Sequence, residues 1–588
     1  MHGFYARALK IDATARSFEI ISLSEDLLLH TLGGKGLGTG LLLQENPVGA
    51  DPLGPENRLI IATGPACNSR VWGGSRYGVY TKSPLTGLYA ESYAGGKTPE
   101  AIDSTGFDAI IITGRADSLL TVAVHPYGCE FHAADDLRGL PARETEDGAL
   151  AKFLPGKKGD KSGAMVIGPA GENQVACAVI KNDYWRSAGR CGMGAVMGAK
   201  NIKALVFSGD RKREPYDPKG LSAFFREFGA EGKEHPGTKA YKGFGTTMMV
   251  AMLNTAGAFP ARYWSQGTCE HWENLSGETY HARQKVRARA CPKCFMACTR
   301  EAEIMHGRHK GLKLEGPEYE TIFAFGGLCM IEDMEEVAFL NVLCDQLGVD
   351  TITAGNLCAL AIEAGLQGRA ETGVEYNDPD GCAALIKNMA ARKGMGALLA
   401  RGIRETARAW GMEDQAVHVK GLEPPGYDPR VLKGMGLTYA TTARGACHLR
   451  TTFYKPELSG MIPPEQTEDK AEMLIDFENR LALFDALILC RFYRDMYNWD
   501  VLEELIFLLT GIKADKEKLQ HMGAHIVDMT RRFNLREGMD PSEDRLPQKL
   551  THQALPSGHK LEEKEIKEMI ADYYRLRGWG EKGRPGSL

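Results

Sequence analysis

The sequence has no apolar run long enough to cross a bilayer. Its longest, such as "DAIIIT" and "VLEELIFLLTG", fall well short of the ~20 residues that a helical span needs. It also lacks a charged start followed by an apolar core and a small-residue cleavage site, so "MHGFYARALKIDAT" does not read as a secretory leader and a cytoplasmic location is expected. Positive charge is not in surplus. A formal net charge of −5 at pH 7 argues against nucleic-acid binding driven by phosphate neutralisation. There is no low-complexity tract and no repeat of solenoid period. In a reducing compartment the fourteen cysteines do not form a disulfide framework, and most of them stand alone as buried small apolar residues.

The chain that remains is globular in composition and, at 588 residues, too long for one hydrophobic core. The first 210 residues or so carry β-branched runs broken by glycine: "RLIIATGPA", "FDAIIITGRAD", "LTVAVHPYG", "GAMVIGPAG" and "IKALVFSGD" read as short strands ending in turns. Amphipathic helix spacing follows, in "DPKGLSAFFREFGAEGKE", "MEEVAFLNVLCDQLG" and "GCAALIKNMAARKGMGALLARGIRETARAWG". The Pro-rich "KGLEPPGYDPR" separates this from a further helical part. An α+β protein is expected, with a β-rich domain over 1–210 and helical domains over 211–417 and 418–588.

The most specific motif is "ACPKCFMACT". Cys291, Cys294 and Cys298 have the C-x2-C-x3-C spacing that suits neighbouring irons of a cuboidal iron–sulfur cluster. Zinc and chance clustering compete, but no second C-x2-C knuckle or histidine pair lies nearby to complete a zinc site. A four-thiolate cluster needs one remote ligand, and Cys447 and Cys490 are the candidates between which spacing does not choose.

Three glycine clusters lie in the N-terminal part: Gly33, Gly34, Gly36 and Gly38; Gly73 and Gly74 beside Arg76; and Gly189, Gly192, Gly194 and Gly198 beside Arg190 and Lys200. Exposed backbone amides next to a cation suit a phosphate or another oxyanion. Singly each reads more readily as a turn; together they point to a large, multiply charged ligand. "GKGLGTG" nearly matches a dinucleotide fingerprint, yet no acidic residue follows at the required distance. A short internal echo completes the pattern: Asp345, Gly348 and Asp350 in "CDQLGVD", and Asp485, Leu489 and Cys490 in "FDALILC". An Asp near a helix end accepts hydrogen bonds from ring N–H groups.

These motifs, with "GPACNSRVWGGSRYGVYTKSPLTG", "LEGPEYET" and "KGLEPPGYDPRVLKGMGLTYATTARGACHL", make a chain that resembles the aldehyde:ferredoxin oxidoreductase family nearly end to end. The resemblance implies two β-sheets forming a base for a tungsten bis-pyranopterin, with molybdenum as the alternative metal, a Mg2+ ion bridging the pterin phosphates, and one [4Fe–4S] cluster. Gly36, Arg76, Gly95, Arg190, Gly192, Gly194 and Lys200 would then hold the pterins with the two Asp motifs, and Cys490 would be the fourth cluster ligand. Glu318 is the implied base, with Glu320 as alternative, and His448 the implied donor to the substrate carbonyl. The expected activity is oxidation of an aldehyde with water to a carboxylic acid, electrons leaving to ferredoxin or a dedicated iron–sulfur subunit. The alternatives are low-potential reduction of an aromatic acyl-CoA thioester within a larger complex and, from another class, a non-catalytic iron–sulfur carrier without tungsten or pterin.

The chain departs from the family pattern at three places. Cys191 replaces a glycine, Ile488 replaces the glycine of the second Asp motif, and Cys447 stands where an acidic residue is common. Near "EDMEE", Glu332 and Glu335 lack the histidine of an interfacial iron motif, so that site is not expected and a homodimer loses one support.

Overall fold

In the computed structural model, which describes residues 1–154 and 159–586, the N-terminal strands form two six-stranded sheets. The first contains β1 (Arg7–Asp12), β2 (Ser17–Ser22), β3 (Leu59–Ala62), β4 (Tyr77–Lys82), β5 (Tyr89–Ala94) and β6 (Ala109–Thr113), in the order β2-β1-β6-β3-β4-β5. The second contains β7 (Leu120–His125), β8 (Gly128–Ala133), β9 (Lys161–Val166), β10 (Ile180–Asn182), β11 (Arg186–Ala188) and β12 (Ile202–Gly209), in the order β8-β7-β12-β9-β10-β11. Strands β3, β4 and β12 are buried along their whole length, as continuous apolar runs require when both faces are covered.

The second order is the first one repeated. Each sheet has a single parallel pair, β1 with β6 and β7 with β12, and each closes with a short helix, Thr98–Ser104 or Met193–Ala199, before its last strand. The third strand of each unit runs into a Gly-Pro-Ala turn, Gly64-Pro65-Ala66 or Gly168-Pro169-Ala170. The duplication has no solenoid period and escapes a search for one.

The Asp motifs complete the symmetry. Helix Met334–Leu347 ends at Gly348 in the left-handed region (φ 76°), and helix Lys470–Leu487 ends at Ile488 in the same region (φ 65°). Val349 N–H donates to Cys344 O at 2.9 Å, as Leu489 N–H donates to Phe484 O at 2.7 Å. A side chain at Gly168 would lie 2.5 Å from Leu347 O, and one at Gly64 the same distance from Ala486 O. Each turn therefore needs glycine to let one helix end touch its sheet. Asp350 N–H donates to Cys177 O, and Cys490 N–H donates to Gly73 O. Asp350 and Cys490 are thus equivalent positions of one device. A left-handed isoleucine costs ~1–2 kcal/mol, which burial of its side chain offsets.

After Gly209 the chain is mostly helical, with one small sheet of β13 (Lys285–Arg289), β14 (Thr299–Glu303) and β15 (Lys313–Glu315). The cluster cysteines occupy the β13–β14 connection and its edge. The long helical pattern over 381–411 divides into Pro379–Ala391, Gly396–Leu399 and Ile403–Trp410, with Gly394 and Gly402 at positive φ between them. "GGKGLGTGLL" is not a loop but helix Gly34–Glu45, which packs on β3 and β4.

Candidate active site

A cavity of ≈ 340 Å³ lies between the sheets and the helical segments, within the range of small-ligand sites. Cys291, Cys294, Cys298 and Cys490 line one end of it. The two cysteine-bearing segments are joined through the first sheet's turn: Gly73 N–H donates to Lys293 O at 2.9 Å, and Gly73 O accepts from Cys490 N–H at 3.0 Å. Tyr493 adds a second tie, its hydroxyl accepting from Phe295 N–H at 3.0 Å. Burial, with Cys490 beside it, pushes the Cys294 thiol up to about 11; burial and Glu318 push Cys298 up as well. Loading iron here must release those protons. Among the described residues no three His, Cys, Asp or Glu side chains converge as a single ion requires. The four thiols instead stand around a shared space, as separate irons of one cluster would need.

Arg76 bridges outward from the thiols, with Nη1 3.8 Å from Cys490 Sγ. Gly95 lies at the same wall, where a side chain would meet Cys291 Sγ at 3.3 Å. Beyond them the cavity is lined by Glu315, Glu318, Glu320, Asp345 and Asp350. Asp345 is held by Lys181 and by Asn341 Nδ2 at 3.1 Å. Burial raises its pKa against the pull of Lys181. Asp350 caps helix Thr351–Leu366 through Ile352 N–H and accepts from Arg190 Nε at 3.1 Å. On the other half of the repeat, Asp485 is gripped by Arg450 and Arg491, and Arg450 also reaches Glu91 at 3.0 Å.

The two candidate bases take different places. Glu318 accepts from the Thr246 hydroxyl and lies on the thiol side, where its charge bears on Cys298. Glu320, two residues on, accepts from Gly426 N–H at 3.0 Å, and its Oε1 lies 3.5 Å from His448 Nε2. Burial lifts the Glu320 carboxyl to about 7. Burial, with Arg444, Arg190, Arg450 and Arg494 nearby, depresses His448 well below its ordinary value, so the imidazole is neutral. A half-buried carboxyl titrating near neutrality beside a neutral imidazole is a pair suited to proton transfer. Of the two candidate bases, both of which line the cavity, Glu320 is the one that meets the histidine.

Several other expected site residues lie away from the cavity. Lys200 does not face the cavity: it is fully buried, donates to Pro55 O, Asn57 O and Gly114 O, and burial with Arg58 and Arg115 nearby lowers it to about 7. Gly36, Gly192 and Gly194 serve close packing; a side chain at each would strike the carbonyl of Thr31, Ala176 or Val179. Gly348 and Leu489 shape the helix ends rather than line the cavity. Lys181, Glu91, Arg444, Arg450 and Arg491, which the sequence did not single out, supply charged partners around the site. Arg450, two residues after His448, was the one with a usable signal.

A large anionic ligand fits the groups behind this cavity. Nη1 of Arg190 and Nε of Arg444, Arg450, Arg491 and Arg494 are buried without a hydrogen-bond partner among the described residues, as is Glu320 Oε1. Each orphaned donor costs ~1–3 kcal/mol unless something accepts from it.

Two duplicated sheets, twin Asp-bearing helix ends and a four-thiol corner define a redox enzyme built around a large cofactor. The chain belongs to the aldehyde ferredoxin oxidoreductase family. The family's N-terminal domain matches residues 8–209, and its domains 2 and 3 match residues 223–587. The tungsten-containing aldehyde ferredoxin oxidoreductase of Pyrococcus furiosus is 34% identical over 99% of this chain and 98% of its own, and that of Pyrococcus abyssi is 35% identical over the same shares. The aliphatic sulfonate oxidoreductase, WOR-like subunit, of Pyrococcus furiosus is 27% identical, covering 100% of this chain and 96% of its own. Among solved structures, the active site complex BamBC of benzoyl coenzyme A reductase with 1,5-dienoyl-CoA superposes with a TM-score of 0.84 at 22% identity, covering 99% of this chain and 96% of that one, and so shares its fold. No helix among the described residues is long and apolar enough to cross a membrane.

Proposed function

We propose that the protein oxidises an aldehyde with water to a carboxylic acid, two protons and two electrons, at a tungsten bis-pyranopterin. The carrying observation is that Glu320, which lines the same cavity as four cysteines, meets the half-buried His448 at 3.5 Å. Arg190, Arg444, Arg450 and Arg491, with the Asp345 and Asp485 helix ends, are the groups that would hold the pterins; Mg2+ would offset their phosphate charge. When bound, the cofactor supplies a two-electron acceptor, with molybdenum able to serve in place of tungsten. Cys291, Cys294, Cys298 and Cys490 would hold a [4Fe–4S] cluster that passes electrons singly to ferredoxin or an iron–sulfur subunit.

Each side chain then has one task. His448, kept neutral by desolvation and, after it, by four nearby arginines, donates a ring N–H to the carbonyl oxygen of the aldehyde. Glu320, whose Oε1 faces His448 Nε2 at 3.5 Å, takes the proton released as water adds. The low exposure of both side chains limits bulk water around them and strengthens these interactions. Elemental analysis of purified protein, alongside aldehyde-dependent viologen reduction, tests the reading. Tungsten or molybdenum with about four irons and aldehyde-driven dye reduction support it. Zinc alone, or iron without either heavy metal, overturns it, and reduction of an aromatic acyl-CoA thioester in place of aldehyde oxidation reassigns the reaction.

A further inference from the structure

Charge is not spread evenly over this acidic chain. Between Arg283 and Lys313, the stretch that contains the three clustered cysteines, nine residues are Lys or Arg and two are Glu, whereas the whole chain carries −5. Carboxylates from neighbouring elements offset part of this: Glu335 pairs with Arg283, Glu336 and Asp380 with Arg308, and Glu100 with Lys293. Cations still outnumber these partners.

The arrangement of the cations is regular. Lys285, Arg287 and Arg289 alternate along β13 and so project from one face. Their side chains are 76%, 63% and 54% exposed. Glu301 is shared between Arg287 and Arg289, and Glu303 lies 3.6 Å from Lys285, so the row keeps a surplus of positive charge. β13 pairs only with β14, leaving its outer edge without a strand neighbour among the described residues. Two residues after Arg289 comes Cys291, half-buried at the cavity wall. The Cα atoms of Arg289 and Cys291 are therefore at most ~7 Å apart.

We infer that the Lys285–Arg289 edge and the adjoining Cys291–Cys294 loop form the docking face for a small acidic iron–sulfur carrier. The inference rests on the proposed electron route. Each encounter transfers one electron from the reduced cluster to the oxidised carrier, so two encounters clear each aldehyde. Alternating cations on an exposed strand steer an acidic partner and set its orientation, acting on association more than on final affinity. The same cations on an edge strand also serve to block strand pairing between copies, and that is the competing outcome.

The test uses holoenzyme and a purified ferredoxin of net negative charge. Lys285→Gln/Arg287→Gln/Arg289→Gln is made alongside the corresponding triple change to Glu. Enzyme is reduced with dithionite, desalted and mixed rapidly with oxidised ferredoxin, so that the measurement does not depend on aldehyde chemistry. Wild-type transfer is expected to slow steeply with rising salt, and the Gln variant to be at least tenfold slower at low salt with a flattened salt response. Iron content and reduction of a small viologen dye should not change. Equal ferredoxin rates in wild type and variant, or a salt-independent wild-type rate, overturn the inference; if the variants also aggregate, the cations are edge guards. Failure of aldehydes to reduce the dye in wild type bears on the proposed reaction alone.

Discussion

Glu320 and His448 come from segments far apart in the chain, yet their half-buried side chains lie 3.5 Å apart, with Glu320 Oε1 in no hydrogen bond among the described residues. The carboxylate is fixed from its other oxygen by Gly426 N–H, and the imidazole ring lies against Tyr427 with centroids 5.3 Å apart. One end of the pair is anchored and the other left for substrate.

Glu320→Gln should lower turnover by ~10²–10⁴-fold, the range of a lost acid–base group, with metal and iron content unchanged. Glu318→Gln should cost far less. Because the Glu320 carboxyl sits at about 7 and works as a base, kcat/KM of wild type should rise with pH through that region and level above it. The same shift costs fold stability: the penalty is absent below the ordinary carboxylate range and complete above about 7. A rising limb that persists in Glu320→Gln would assign it to another group.

Cys490→Ser should remove visible cluster absorbance and most of the iron, although it lies far in sequence from the other three thiols. The Gly73 bridge between Lys293 and Cys490 requires the segments to act as one site. Cys129, buried on β8 away from the cavity, is the control: Cys129→Ser should keep its iron. Full iron content in Cys490→Ser would return the fourth position to Cys447.

The strands were legible because buried β-branched runs between glycines have few other uses, and the thiols because C-x2-C-x3-C is rare by chance. The glycine clusters misled: Gly36, Gly192 and Gly194 are small so that helices can approach carbonyls, a demand that looks the same in sequence as anion binding. Lys200, likewise, donates to backbone carbonyls away from the cavity. Glu318 and Glu320 lie two residues apart around a turn, and only tertiary structure decides which one meets the histidine.

The duplicated turns give a paired expectation. Gly64→Ala and Gly168→Ala each place a methyl 2.5 Å from a carbonyl oxygen of an Asp-motif helix. Overpacking of this kind costs ~1–3 kcal/mol and pushes that helix end off its sheet. Each variant should lose thermal stability and heavy-metal content in similar proportion, measured by thermal denaturation and elemental analysis. Loss in one variant alone would mean that the two halves do not share the load.

Cys447 tests how far a thiolate replaces a carboxylate. Burial would raise its pKa, but Arg444 and Arg450 hold it down to about 7, with Arg444 Nη2 donating to Sγ at 2.7 Å and Leu449 N–H at 3.3 Å. When ionised, the sulfur of Cys447, the residue before His448, is the counter-charge for the buried Arg444. Its stabilising contribution is present above the ordinary thiol range and is lost as pH falls through about 7. Cys447→Asp keeps the negative charge and should retain activity within a few-fold, with its stability loss moved to lower pH. Cys447→Ala leaves Arg444 short of a partner and should cost ~1–3 kcal/mol. Without the sulfur's counter-charge to Arg444 and Arg450, the neighbouring imidazole is expected to hold its proton even less readily. Equal stability and equal pH profiles in the Asp and Ala variants would mean that the sulfur carries no charge in the folded protein.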